Sequence, residues 1–89
     1  MREIIQINQF KRDFKKVSTS GKYNMEHFFK VLDLLSRDEP LPQKNRDHSL
    51  TNDWKNYREC HIKPDWLLIY KKYDDILLLA RMGSHSELF

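Results

Sequence analysis

Three of the four histidines, His48, His61 and His85, fall in the second half of the chain, outside any stretch with helical periodicity. An imidazole with an unperturbed pKa of about 6.5 can give or take a proton near neutrality. Cleaving RNA without a metal requires a base for the ribose 2′-hydroxyl, an acid for the 5′-oxygen leaving group, and positive charge against the phosphorane between them. Histidines beside an Arg or Lys meet that list, and Arg81 precedes His85 by one helical turn's worth of sequence. Plainer uses exist for each. A lone histidine is more often a surface or hydrogen-bonded structural residue than a catalyst. Arg81 has Asp65 and Glu59 as candidate ion-pair partners, Asp65 can cap the bend after Pro64, and Trp54 and Trp66 suit a core better than a base-stacking platform.

Other chemistries find less support. The spacings His48-x12-His61-x23-His85 contain no close ligand pair of the kind structural zinc sites use, so neither a metal nor a cofactor is expected. Cys60 is the only cysteine, which excludes an internal disulfide and leaves a catalytic thiol without an evident partner. The chain has only Gly21 and Gly83, too few for a glycine-rich phosphate loop.

The elements that must position these residues follow from periodicity. Glu3 to Ile7 is short and β-branched and reads as an edge strand. Asn8 to Val17 reads as a helix, because Ile7, Phe10, Phe14 and Val17 recur at spacings of three and four. Lys11, Arg12, Lys15 and Lys16 fall on its opposite arc, where they solvate the helix and offer phosphate affinity blind to sequence. Asn24 can cap a second helix over residues 24–36, whose face from Met25 to Leu35 is core. Pro40 and Pro42 open a polar connection to about Asp53. Three strands are then expected: Tyr57 to Ile62, Trp66 to Lys72 and Ile76 to Met82, the last two joined as a hairpin by Tyr73-Asp74-Asp75. Alternation puts Tyr57, Glu59 and His61 on one face, and Leu77, Leu79 and Arg81 on one face of the last strand. Gly83 allows a sharp departure that folds His85 back over the sheet, and Phe89 is expected to cover the sheet or stack on a base. The result is one α+β domain over residues 1–89, with two amino-terminal helices on a mainly antiparallel sheet of three to four strands.

Charge and length bound the rest. Eighty-nine residues with 33% charged and 39% hydrophobic side chains fit one small folded unit. Net charge is +3, and all the excess lies before residue 38. The apolar runs Trp66–Tyr70 and Ile76–Ala80 are five residues each, too short to span a membrane. Met1-Arg2-Glu3-Ile4-Ile5 has no signal-peptide pattern, and a reducing cytoplasm is the expected location.

Glu39-Pro40-Leu41, Asp47-His48-Ser49-Leu50, the run Trp54 to Tyr70 that contains Cys60-His61-Ile62-Lys63-Pro64-Asp65-Trp66, and Arg81-Met82-Gly83-Ser84-His85-Ser86-Glu87-Leu88-Phe89 closely resemble the YafQ branch of the RelE/ParE toxin superfamily. The first 37 residues agree mainly in layout. The resemblance implies a RelE-like α+β toxin of a type II toxin–antitoxin pair, an mRNA interferase that cuts messages in the ribosomal A site and is held inactive by a cognate antitoxin. It implies His85 as general acid, Arg81 on the scissile phosphate, His48, His61 or Asp65 as base or orienting group, and Phe89 positioning a base. Lys11 and Lys15 would then face ribosomal RNA, and operator DNA would be reached only through the antitoxin. A toxin fold acting as a non-catalytic corepressor, and ParE-like gyrase inhibition, are the alternatives; the second gives no reason for the histidine set.

Overall fold

The computed structural model describes residues 1–89. Five strands form one sheet in the order β1-β5-β4-β3-β2: β1 (Glu3–Gln6), β2 (His48–Ser49), β3 (Arg58–Lys63), β4 (Trp66–Lys72) and β5 (Ile76–Gly83). Strand β1 pairs with β5 in parallel, and every other pairing is antiparallel. The sheet thus has one strand more than three to four. The addition is β2, two residues inside what reads as polar connection, and too short to carry a periodic signal.

Helix α1 (Asn8–Thr19) and helix α2 (Met25–Ser36) cover one face of the sheet. The cap expected at Asn24 is present, its Oδ1 accepting the Glu26 N–H at 3.0 Å. Gly21, at φ +75, makes the turn between the helices in a conformation that costs glycine little. Phe10, Val17, Phe28, Val31 and Leu35 from the helices pack on Cys60, Ile62, Trp66, Leu68, Tyr70, Leu77, Leu79 and Met82 from the sheet. Trp66 is core, as expected, and Trp54 only borders a smaller cluster on the other face.

That second cluster, Leu67, Ile69, Ala80 and Leu88, exists because the chain turns back after β5. Helix α3 (His85–Leu88) is one turn long and opens on a capping box, in which Ser84 and Glu87 satisfy each other's backbone N–H groups. Gly83 contributes by lacking a side chain rather than through its dihedral angles. A Cβ there would sit 3.2 Å from Glu87 Oε1 and 3.5 Å from Leu88 Cδ2.

Strict alternation fails in β5. Ile69 pairs with Arg81 and Tyr70 with Leu79, so Ala80 is an extra residue, a β-bulge. Residues directly opposite one another share a face. The bulge therefore moves Arg81 off the face of Leu77 and Leu79 and onto the face of Ile69. Since β3 places Glu59 opposite Ile69 and His61 opposite Leu67, and β2 places His48 opposite Glu59, all four polar residues share the side away from α1 and α2, the one on which α3 packs.

Candidate active site

The β3–β4 turn ties the histidine set together. The Pro64 carbonyl lies 3.1 Å from His61 Nδ1, and the neighbouring Asp65 Oδ1 accepts the backbone N–H of His85 at 2.9 Å. The Asp65 side chain thus anchors the first residue of α3 rather than capping the bend after Pro64. The His48 and His61 ring centres are 6.4 Å apart on adjacent strands. Phe89 folds against His85 with ring centres 5.2 Å apart and remains 53% exposed, while Leu88 rather than Phe89 covers the sheet.

Hydrogen bonding distinguishes the histidines. His48 Nδ1 lies 2.6 Å from the Arg46 carbonyl, which can only accept, so Nδ1 carries a proton, and Nε2 has no hydrogen-bond partner. His61 has an acceptor at each nitrogen: Pro64 O at Nδ1 and Glu59 Oε1 at Nε2, the latter 3.2 Å away. Glu59 is buried, which makes its contact with His61 the ring's fixed tether. The side chain of His85 is exposed.

Arg81 pairs with neither Asp65 nor Glu59. Its Nε donates to Oδ2 of Asp13, on α1, at 2.7 Å. Sequence reading passed over Asp13, although a carboxylate between Phe10, Phe14 and Val17 interrupts an otherwise apolar stripe, and that interruption was a usable signal. Asp13 and Arg81 line a cleft of about 670 Å³ together with Asp65, Glu87, Arg12 and Lys16. The histidines stand outside this lining, and Asp65 bridges the two: its side chain lines the cleft and holds His85. Lys11 and Lys15 are exposed on α1 but do not line the cleft; Arg12 and Lys16 do.

Lys16 closes one side of the cleft through Glu87, at 2.6 Å. The Lys16 ammonium first, and the Ser84 N–H and hydroxyl after it, hold the Glu87 carboxyl down to about 2. Cys60 takes no part, since it is buried in the main core and burial pushes its thiol well above the usual range. Beneath β2, Asp47 accepts from Tyr70 and, at 3.2 Å, from Arg58 Nε, which pins the strand carrying His48 to the sheet.

Fold and site together define a small RelE-like α+β toxin. Residues 2–89 match the profile of the family described as "Bacterial toxin of type II toxin-antitoxin system, YafQ". The "mRNA interferase toxin YafQ" of Escherichia coli (strain B / BL21-DE3) is 38% identical over 88 residues, covering 99% of this chain and 96% of that relative. A copper-bound mutant toxin from Helicobacter pylori superposes with a TM-score of 0.94 at 43% identity, over 100% of both chains. YafQ in the E. coli DinJ–YafQ complex superposes with a TM-score of 0.88 at 38% identity, over 100% of this chain and 99% of that one. The chain belongs to the YafQ family of type II toxins.

Proposed function

We propose that residues 1–89 act as one toxin domain that cleaves messenger RNA by attack of a ribose 2′-hydroxyl on the adjacent phosphate. The chain is an mRNA interferase, an endoribonuclease. His85 donates a proton to the departing 5′-oxygen, and Arg81 grips the phosphate and stabilises its transition-state charge. His48 takes the 2′-proton, because its Nε2 alone among the ring nitrogens of His48 and His61 has no acceptor facing it. His61, tethered by Glu59, supplies a fixed donor, Asp65 orients α3, and Phe89 stacks against a base.

The observation that carries this reading is the pair of adjacent contacts at Pro64 and Asp65, which draws His61 and His85 to one turn beside the Arg81 cleft. A domain this small has little surface to read a message, so presentation in the ribosomal A site supplies the orientation, an effect worth on the order of 7–11 kcal/mol in favourable cases. Lys11 and Lys15 then face ribosomal RNA, the site of action is the cytoplasm, and a cognate antitoxin covers the cleft when the toxin is silent; operator DNA is met only through that antitoxin. No helix here is long and apolar enough to cross a membrane. Primer extension on a translated message tests the mechanism. A 2′-deoxy nucleotide at the scissile position should abolish cleavage, and His85→Ala should lose about 10²–10⁴-fold while still binding antitoxin. Equal cleavage by the variant would remove His85 from the reaction.

A further inference from the structure

We propose that Asp13 is a positioning residue for cleavage: it fixes the Arg81 guanidinium side-on, so that the outer edge of the fork faces the cleft. The inference rests on Arg81 gripping the scissile phosphate. Asp13 is a carboxylate 8% exposed, yet it is fully engaged. Its Oδ2 accepts from Arg81 Nε at 2.7 Å and from the Met82 backbone N–H at 3.1 Å, and its Oδ1 accepts from Gln9 Nε2 at 3.1 Å. Oδ1 also lies 3.4 Å from Arg81 Nη2.

Topology explains why a helix residue occupies this place. Strand β1 pairs with β5 only from Ile76 to Leu79, so the edge of β5 beyond Leu79 has no strand beside it. Asp13 takes that vacancy, accepting the Met82 N–H that a longer β1 would have bonded. The bulge at Ala80 then puts Arg81 within reach of the same carboxylate.

The chemistry follows from the shape of the guanidinium. Arginine presents five donors in a rigid fork. Asp13 takes the Nε side and the near proton of Nη2, which leaves Nη1 and the far proton of Nη2 for a phosphate. A free arginine samples many rotamers, and a carboxylate holding its inner edge removes most of that freedom before substrate arrives.

Asp13→Asn is the informative change, because the amide keeps the size and one oxygen for Met82 N–H and Arg81 Nε, while it removes the charge and turns a donor against Arg81 Nη2 and Gln9 Nε2. In ribosome-dependent cleavage it should lower kcat on the order of 100-fold, with KM for programmed ribosomes unchanged within about twofold. The double variant Asp13→Asn/Arg81→Ala should cut no more slowly than Arg81→Ala alone. Losses that multiply, or a raised KM with kcat intact, would overturn the proposal. A wild-type rate in Arg81→Ala would overturn the role of Arg81 itself, separately from the outcome for His85. Should Asp13→Asn fail to fold, NMR on the wild-type toxin decides: the Arg81 Nε–H resonance should be protected from solvent exchange, and exchange as fast as that of exposed Arg46 would refute the contact.

Discussion

Leu88→Ala is expected to disable the enzyme without touching a group that handles a proton or phosphate. A one-turn helix has no stability of its own, since nucleation costs more than a single turn returns. What holds α3 down is Leu88, 7% exposed against Leu67, Ile69 and Ala80, with help from Asp65 and the Lys16–Glu87 pair. Leu→Ala changes in closed cores cost about 2–5 kcal/mol, and at this peripheral cluster the lower end applies because solvent can fill the gap. About 2 kcal/mol shifts the docked-to-undocked ratio of α3 by roughly 30-fold, at 1.4 kcal/mol per factor of ten. Cleavage should fall by up to that factor, since His85 and Phe89 travel with α3. Exchange protection of the Phe89 amide, which donates to His85 O at 3.0 Å, should fall in parallel. The melting temperature should move little, because the larger cluster between helices and sheet carries global stability. Unchanged cleavage together with unchanged Phe89 protection would refute the idea that Leu88 holds the tail in place.

Further predictions concern the groups around the site. Glu87 is held below its ordinary 4.5, so its contribution to α3 is present above about 4.5 and is lost as pH falls toward about 2. Protection of the α3 amides should decline through that window, and Glu87→Gln should begin lower at neutral pH and show a flatter acid limb. Cys60 should resist alkylation in the native toxin at pH 8 and react readily in urea, and Cys60→Ala should retain cleavage activity. Tyr70→Phe removes the hydroxyl that donates to Asp47 and should cost about 1 kcal/mol in urea denaturation, with the midpoint lowered and the slope unchanged.

Local signals made much of this molecule legible. The Asn24 cap and the Phe28, Val31, Leu35 stripe identify α2, and the β4–β5 hairpin is plain from two apolar runs around Asp74-Asp75. The resemblance to the family singles out His48, His61, Asp65, Arg81 and His85 as candidates. What stayed hidden depends on contacts between distant segments. The parallel pairing of β1 with β5 joins residues more than seventy positions apart, and a single bulge at Ala80 reverses the face of Arg81. No periodicity within β5 encodes that bulge, because it is fixed by register against β4. For Asp13 the interrupted apolar stripe marks the residue but not its role, because Arg81 and Met82 lie 68 and 69 residues away. Of the two uses expected of Phe89, covering the sheet falls to Leu88 instead, because one turn of α3, rather than an extended tail, decides which side chain meets the sheet.

The role proposed for His85, proton donor to the leaving group, can be isolated by chemistry. A message with sulfur in place of the bridging 5′-oxygen at the scissile linkage has a leaving group that departs without protonation. His85→Ala should cut the ordinary linkage about 10²–10⁴-fold more slowly than wild type and cut the sulfur linkage at close to the wild-type rate. An equal loss on both linkages would show that the imidazole at the head of α3 does something other than protonate the departing oxygen.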